Sequence, residues 1–419
     1  MSPIPRWKTR HTVLVVLFIT YIICYLDRMV MSVAIPYIAK DFNLSPLEMG
    51  AVMSAFFASY ALCQIPGGIL SDRFGARKVM SAALVWWSAF TAFTGLAGSL
   101  APMLWIRLGF GIGEGVFPPA AIKSISNWFP LKERGTAIGW MFSSNALGPA
   151  LAPLFVVAVM ASWGWRAVFY TLFIPGIIAA ILAWVIITDK PSESKSISPE
   201  ELSELTVDEP VLAASTSSGT SLMDVLRVPI VWQCFAIWFA FDITLWGFMS
   251  WLPSYLVQAR GFAAVKMGVT ASLPFFAGTP GLVLGGWVSD TFFKNTRKTP
   301  IILTQLAGAW LLYMTYSVEA ANLAVAYQTL AGFFLFMAMG SFWALPMSVI
   351  PKDAMGRASG IINTGGQIAG FISPMAIGYL VQSSSGSFNT SFMFLIAGTL
   401  LSCLVALTVK ETRAIPVAA

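Results

Sequence analysis

Charged residues are scarce in this 419-residue chain. Asp, Glu, Lys and Arg make up 11% of it and hydrophobic residues 57%, whereas an ordinary soluble domain is about 25% charged. A water-facing surface on a chain of this length would need more charge, so a soluble globular protein is excluded. Apolar stretches long enough to cross ~30 Å of hydrocarbon recur from end to end. The sequence therefore predicts an all-α membrane protein.

Histidine and cysteine are also rare. The single histidine, His11, precedes the first apolar stretch, so proton transfer within the membrane would have to use carboxylates. The four cysteines lie inside apolar stretches and are interpreted as buried hydrophobic residues rather than disulfides or metal ligands. No metal site, cofactor motif or catalytic motif is found, so we expect no cofactor and no enzyme. The net charge of +6 comes without basic runs, so nucleic-acid binding is not expected.

Twelve apolar spans follow one another along the chain. The predicted spans are 12–38, 47–71, 78–98, 102–126, 135–160, 166–188, 229–257, 265–289, 300–317, 321–349, 356–383 and 388–409. The first span is too long for a signal-peptide core and lacks a small-residue cleavage site, so we expect it to stay in the mature protein. With the N-terminus in the cytoplasm, fifteen Lys and Arg residues of loops and ends fall on that side and four outside. The distribution predicts that both termini are cytoplasmic.

A polar stretch separates the first six spans from the last six. It is rich in acidic residues and serine, which is typical of a flexible linker, and only the segment around Pro199–Leu205 has a helical pattern. We therefore divide the chain into a six-helix bundle at 1–188, a cytoplasmic linker at 189–227 and a second six-helix bundle at 228–419.

The two halves resemble each other. GGILSD at 67–72 recurs as GGWVSD at 285–290, and Pro153 in the first half corresponds to Pro374 in the second. A parallel repeat of two six-helix bundles is typical of one large class of secondary transporters, which bind their substrate near the membrane midplane. In the first copy, the loop GILSDRFGARK at 68–78 carries three residues that we assign to a cytoplasmic gate: Asp72, Arg73 and Arg77. For Asp72, a simple interface anchor is the alternative.

Four charged residues lie deep in predicted spans: Asp27 and Arg28 in the first, and Arg107 and Glu114 in the fourth. A charge in hydrocarbon costs at least ~2.5–3.5 kcal/mol on insertion scales, so each calls for a role. Arg28 shares a helical face with Tyr25, and an arginine beside phenols suits a carboxylate ligand. Arg107 and Glu114 also share a face, on a helix whose glycines leave room for a partner or solvent. A purely structural network is the alternative, and for Arg107 so is snorkelling to the interface.

The second half lacks this set of charges. We expect it to supply polar and aromatic walls, from Trp246, Trp343, Asn363 and Gln367, for each of which simple packing is an equal alternative. Asp242 is buried in the seventh span without an assigned role. It could exclude dianions, bind a ligand hydroxyl, or pair with Arg28 or Lys123.

Four segments carry a family resemblance: ICYLDR at 23–28, YALCQIPGG at 60–68, RLGFGIGEGVFPPA at 107–120 and NWFPLKERGTAIG at 127–139. Together with the loop at 68–78, they resemble the anion:cation symporter family of the major facilitator superfamily, and most of all bacterial sugar-acid proton symporters of the galactonate type. The resemblance implies that Arg28 holds the substrate carboxylate, and that Asp27 and Glu114 carry protons with Arg107 as their charge partner. It also implies ligand contacts from Tyr25, Tyr60, Asn363 and Asn145, the last replacing a glutamine.

We therefore expect a proton-coupled symporter that imports a small organic anion, and among such anions we favour a sugar acid. We expect it to lie in the bacterial inner membrane as a monomer surrounded by lipid. The alternative within transport is an anion exchanger or facilitator without proton coupling. A drug–proton antiporter fits less well, because arginines in the cavity would repel cationic drugs. A transporter-like receptor is a further alternative, although no signalling domain is attached.

Overall fold

The computed structural model describes residues 7–206, 222–350 and 352–411, and within these ranges the regular structure is helical, with no strand. The first part contains α1 (Thr9–Phe42), α2 (Pro46–Phe74), α3 (Ala76–Leu96), α4 (Leu100–Trp128), α5 (Leu131–Phe142), α6 (Ser144–Ile186), a 3₁₀ turn (Pro191–Glu193) and α7 (Pro199–Thr206). The second contains α8 (Leu222–Leu226), α9 (Pro229–Gln258), α10 (Ala264–Phe292), α11 (Lys298–Ser317), α12 (Ala321–Phe342), α13 (Ala344–Val349), α14 (Lys352–Ser383) and α15 (Asn389–Thr408).

Every predicted span is helical, because a backbone in hydrocarbon must satisfy its own hydrogen bonds. In the described ranges, nine helical segments are long and apolar enough to cross a membrane, and one of them, 132–186, is as long as two spans. The predicted break between spans five and six falls inside α6, at Gly164. Its φ of 75° lies in the left-handed region that glycine adopts without strain, and it kinks the helix there.

Close helix contacts place the charged residues of the first half. A Cβ at Gly115 would lie 2.5 Å from the carbonyl oxygen of Tyr60, and a Cβ at Gly148 would lie 2.6 Å from the Cβ of Tyr25. Only glycine permits such approaches. They bring α4 against α2 and α6 against α1. The space that glycines clear around Glu114 is thus filled by neighbouring helices.

The linker is partly ordered against the first helix. The Glu201 carboxylate, 3% exposed, accepts hydrogen bonds from the backbone N–H groups of Thr9 and Arg10, both at 2.9 Å. These are donors that the first turn of a helix leaves without a partner. Glu204 adds ion pairs to Lys8 and Arg10. The segment around Pro199–Leu205, which has a helical pattern in the sequence, is thus the helix α7 and is docked against α1.

Contacts divide the chain into two compact units. One comprises Met1–Arg28, Ser59–Gly148 and Trp163–Ser218; the other comprises Met29–Ala58, Pro149–Ser162 and Gly219–Ala419. The second unit thus contains parts of α1, α2 and α6 together with the helices after the linker. The halves and linker inferred from the internal repeat remain a prediction, because a repeat and a contact cluster describe different properties.

Glycines explain why those segments belong to the second unit. A Cβ at Gly50 of α2 would lie 2.5 Å from the carbonyl oxygen of Pro374 in α14. The backbone N–H of Leu47 donates to the Gln382 side chain at 3.3 Å. At Gly268 of α10, a Cβ would lie 3.0 Å from the carbonyl oxygen of Pro153 in α6. These helices approach to backbone contact.

Candidate functional site

Arg28 and Glu114 form a buried ion pair in the first unit. Arg28 Nη2 donates to Glu114 Oε2 at 2.8 Å and Arg28 Nε donates to the same oxygen at 3.2 Å. Arg28 is 6% exposed and Glu114 fully buried. Water cannot screen a pair at this depth, so each charge depends on the other.

Two phenol rings flank the guanidinium group. The Arg28 Cζ lies 4.8 Å from the ring centroid of Tyr25 and 4.7 Å from that of Tyr60. Such contacts stabilise a cation in a water-poor site. Arg28, Tyr25, Tyr60 and Glu114 are thus brought together.

Asp27 points to a different helix from its neighbour. Its Oδ2 accepts a hydrogen bond from Trp87 Nε1 of α3 at 3.2 Å, and within the described ranges Oδ1 has no hydrogen-bond partner. Adjacent residues on a helix point about 100° apart, so Asp27 and Arg28 have hydrogen-bond partners on different helices, α3 and α4. Sequence reasoning missed Trp87, because nothing along the chain relates an apolar tryptophan of α3 to position 27.

Arg107 is buried with 3% exposure, so the snorkelling alternative does not hold. Its Cζ lies 4.7 Å from the ring centroid of Phe110, and it is close enough to Asp27 and Glu114 to interact electrostatically with both. The hydrogen-bonded ion pair of Glu114, however, is with Arg28. The expected partnership of Arg107 with the two carboxylates remains a prediction.

Asn145 lies one helical turn before Gly148, whose backbone contacts Tyr25. Residues three apart share a helix face, so Asn145 is on the side of α6 that meets α1. Its Oδ1 is buried and accepts no hydrogen bond from the described residues. The position is compatible with the expected ligand contact.

The lining residues expected from the second half lie in the second unit, which we describe by itself. Trp246 of α9 contacts Phe57 with ring centroids 4.8 Å apart, and Trp343 contacts Trp238 at 5.3 Å. Gln367 is buried in α14, and Asn363 lies one turn before it. These residues line the helix contacts of the unit, and their role in binding remains a prediction.

The three expected gate residues have separate partners. Asp72 forms an ion pair with Lys123 Nζ at 2.7 Å. Arg77 Nε donates to the carbonyl oxygen of Trp184 at 2.6 Å. Arg73 lies over the ring of Phe74. The loop at 68–78 is thus tied to α4 and to the end of α6.

The chain is similar in sequence to known membrane transporters. The Major Facilitator Superfamily model matches residues 17–374. A probable sulfoacetate transporter of Cupriavidus necator is 35% identical over 94% of this chain and 92% of its own length. The hexuronate transporter of Bacillus subtilis is 32% identical over the same shares of the two chains, 94% and 92%.

Among solved structures, a bacterial homologue of the human lysosomal transporter Spinster, crystallised in an inward-facing and occupied conformation, superposes with a TM-score of 0.76. It covers 95% of each chain at 19% identity. At this identity the likeness concerns the fold alone, and it extends over nearly the whole molecule.

Proposed function

The chain belongs to the Major Facilitator Superfamily, and from this premise we propose that it imports a small organic anion together with protons by alternating access. The superfamily and the twelve-helix fold are those predicted from the sequence, and its relatives are transporters, not enzymes. We propose a sugar acid as the substrate: an aldonate, a hexuronate or an aldarate. The similarity to a hexuronate transporter supports this class.

The observation that carries the proposal is the Arg28–Glu114 ion pair. A guanidinium group is a suitable ligand for a carboxylate, and here a carboxylate of the protein already occupies it at 2.8 Å. A substrate anion and the ionised Glu114 would compete for the same fork. Protonation of Glu114 removes that competition, so anion binding and proton binding favour each other.

A transport cycle follows from this competition. On the outer side, protons bind Glu114 and Asp27, and the substrate carboxylate takes the place of Glu114 on Arg28. Tyr25, Tyr60 and Asn145 help to hold the ligand, and the lining role of Trp246, Trp343, Asn363 and Gln367 stays a prediction. After the carrier reopens inward, the higher pH removes the protons. The ionised Glu114 then returns to Arg28 and displaces the anion.

We propose that Asp72, Arg73 and Arg77 act in the cytoplasmic gate. The Asp72–Lys123 pair is exposed on the Asp72 side, where 80% of the side chain is accessible. Such a pair contributes little to stability, and it can therefore break and re-form during a cycle at small cost. Its role would be to hold one arrangement of the loop at 68–78.

The proposed location is the inner membrane of a bacterial cell, with both termini in the cytoplasm and the protein acting as a monomer. The basic loops would then face the anionic headgroups of the cytoplasmic leaflet, each Lys or Arg near the surface contributing about 1 kcal/mol of attraction.

The experiment is uptake into liposomes that contain the purified protein. With an alkaline interior, labelled D-gluconate or D-glucuronate should accumulate above its external concentration, and a protonophore should abolish the accumulation. Glu193→Gln, which neutralises an exposed carboxylate of the linker, serves as the control and should accumulate the acid like the wild type. Entry that stops at equal concentrations, with or without the gradient, would contradict proton coupling.

That last outcome defines a second candidate, an exchanger or facilitator for another carboxylate or a sulfonate. The similarity to a probable sulfoacetate transporter favours its inclusion. Labelled sulfoacetate in the same liposomes, loaded inside with unlabelled sulfoacetate, would reveal exchange without a proton gradient.

A further inference from the structure

Asp242 of α9 is a buried carboxylate in the second unit for which the cycle above has no use. It is 3% exposed, and within the described ranges its Oδ1 has no hydrogen-bond partner. No Lys or Arg among the described residues forms an ion pair with it. Intramembrane carboxylates without a partner are expensive and are therefore expected at functional sites.

Two further buried polar groups lie beside it. Trp238 is one helical turn before Asp242 on the same face of α9, and both side chains reach Gly366 of α14. A Cβ at Gly366 would collide with Asp242 Oδ2 and lie 2.7 Å from Trp238 Nε1. Gln367 follows on the same turn of α14. In the part of the chain that the structure describes, Trp238 Nε1 and Gln367 Oε1 have no hydrogen-bond partner either.

An aromatic wall fixes the position of this cluster. The Trp238 ring stacks on Phe342 with centroids 4.6 Å apart and contacts Trp343 at 5.3 Å. A buried indole N–H normally finds an acceptor, and a carboxylate is only an acceptor when ionised. The cluster therefore combines two strong acceptors and one donor, which is the complement of a group that carries several O–H bonds.

The other partners that the sequence allowed for Asp242 are engaged elsewhere. Lys123 donates to Asp72 and to the carbonyl oxygen of Ser71, at 2.7 and 3.0 Å. Arg28 holds Glu114. Neither of these two cations forms an ion pair with Asp242 in the part of the chain that the structure describes.

Resting on the proposed function, we propose that Asp242, Trp238 and Gln367 form a subsite that binds hydroxyl groups of a polyhydroxylated monocarboxylate. Vicinal hydroxyls donate to the carboxylate oxygens of Asp242, and a third hydroxyl accepts from Trp238 Nε1. Hydrogen bonds to an ionised acceptor are about twice as strong as neutral ones, so this subsite contributes both affinity and selection.

The subsite also selects against dianions. A second carboxylate on the substrate would be buried beside Asp242, where no described Lys or Arg pairs with that residue, and a buried charge without compensation is unfavourable. Aldonates and hexuronates carry one negative charge and several hydroxyls, whereas aldarates and sulfoacetate carry two negative charges. Within the proposed substrate class, we therefore expect aldonates and hexuronates to bind more tightly than aldarates.

The test is equilibrium binding to the purified protein, by calorimetry at neutral pH without a membrane gradient, so that gradient-driven accumulation does not contribute. D-Gluconate and D-glucarate have the same carbon chain and differ in one terminal group, a hydroxymethyl or a second carboxylate. The wild type should bind D-gluconate at least tenfold more tightly than D-glucarate. Asp242→Asn should weaken D-gluconate binding by roughly tenfold or more and reduce that preference. Glu319→Gln, an exposed carboxylate of the second unit, is the matched control and should bind like the wild type.

Trp238→Phe keeps an aromatic ring and removes the indole N–H donor, so it should weaken D-gluconate binding. This variant tests the subsite independently if the Asp242→Asn protein fails to fold. An unchanged ratio of the two affinities in a folded Asp242→Asn protein would overturn the subsite. So would a wild type that prefers D-glucarate or sulfoacetate, or one that binds 6-amino-6-deoxy-D-gluconate far better than D-gluconate, which would indicate an ammonium site. A wild type that binds none of these acids would overturn both the subsite and the proposed substrate class.

Discussion

Replacement of Glu114 by glutamine separates anion binding from proton coupling. The amide keeps the size of the side chain and loses the charge, so it imitates a permanently protonated Glu114. In the wild type, the substrate carboxylate must displace Glu114 Oε2, which accepts from Arg28 at 2.8 and 3.2 Å. In the variant, it displaces only a neutral amide oxygen.

The magnitude follows from the difference between the two kinds of hydrogen bond. A hydrogen bond to a charged group contributes about 1.5–3 kcal/mol and a neutral one about 0.5–1.5 kcal/mol. We therefore expect Glu114→Gln to bind the anion about 1.5 kcal/mol, or roughly tenfold, more tightly at neutral pH. The empty variant should also be less stable, because it leaves the Arg28 charge buried without a counter-charge. Loss of one partner from a buried ion pair costs about 3–5 kcal/mol.

Three measurements on one preparation check this reasoning. The melting temperature of the empty variant should fall below that of the wild type, and the rise on adding D-gluconate should be larger. Exchange of labelled for unlabelled D-gluconate across liposomes should persist, while gradient-driven accumulation should be lost. Weaker anion binding by a folded Glu114→Gln protein, or accumulation at the wild-type rate, would refute the competition between Glu114 and the substrate.

Three further predictions concern other parts of the chain. Arg28→Lys keeps the charge and loses the planar fork, so D-gluconate affinity measured by calorimetry should fall at least tenfold. The exposed control Arg227→Lys should bind D-gluconate normally. Normal affinity in Arg28→Ala would contradict the role of Arg28 as the ligand of the substrate carboxylate. His11→Ala should leave gradient-driven uptake unchanged, and a large loss would place the proton path elsewhere. Hydrogen bonds from Lys8 and Arg10 hold the pKa of Glu204 below its ordinary value. The stabilisation that Glu204 gives to the docking of α7 is therefore complete above about pH 4.3, the pKa of an unperturbed glutamate. This stabilisation is lost as the pH falls through the lowered pKa. Hydrogen exchange at 199–206, corrected for the chemical rate, should rise in that acid range, and the Glu204→Gln protein should show no such step.

The buried charges could be found from the sequence because hydrocarbon makes them costly. Asp27, Arg28 and Glu114 stand out in apolar spans, and the spacing of Tyr25 and Arg28 places them on one helix face. The structure agrees, with the Tyr25 ring 4.8 Å from the Arg28 Cζ. Such inferences work within a single helix, where the period fixes which residues are neighbours.

Partners on different helices could not be found in this way. Glu114 is 86 residues from Arg28 and Trp87 is 60 from Asp27, and their contacts depend on how helices pack. The same holds for Lys123, whose ammonium group reaches Asp72, 51 residues away in the sequence. Glycines give a partial signal, since Gly115 marks a close approach of α4, but they do not say to which helix.

The linker was the other limit of sequence reasoning. Its composition is typical of disorder, and composition does not detect a single carboxylate that caps the start of another helix. The Glu201 carboxylate accepts hydrogen bonds from the backbone N–H groups of Thr9 and Arg10, which lie 192 and 191 residues earlier in the sequence. Together with the Glu204 ion pairs, these two hydrogen bonds dock α7 against the start of α1.

The central claim is that anion binding and proton binding are linked at Arg28 and Glu114, and proton uptake on ligand addition tests it most directly. The purified protein is placed in weakly buffered detergent solution near neutral pH, and D-gluconate at matched pH is added while a pH-sensitive dye is followed. The account predicts that the wild type takes up protons as the anion displaces Glu114 from Arg28, and that Glu114→Gln binds the anion with a smaller uptake. Binding by the wild type with no change in the pH of the solution would contradict it.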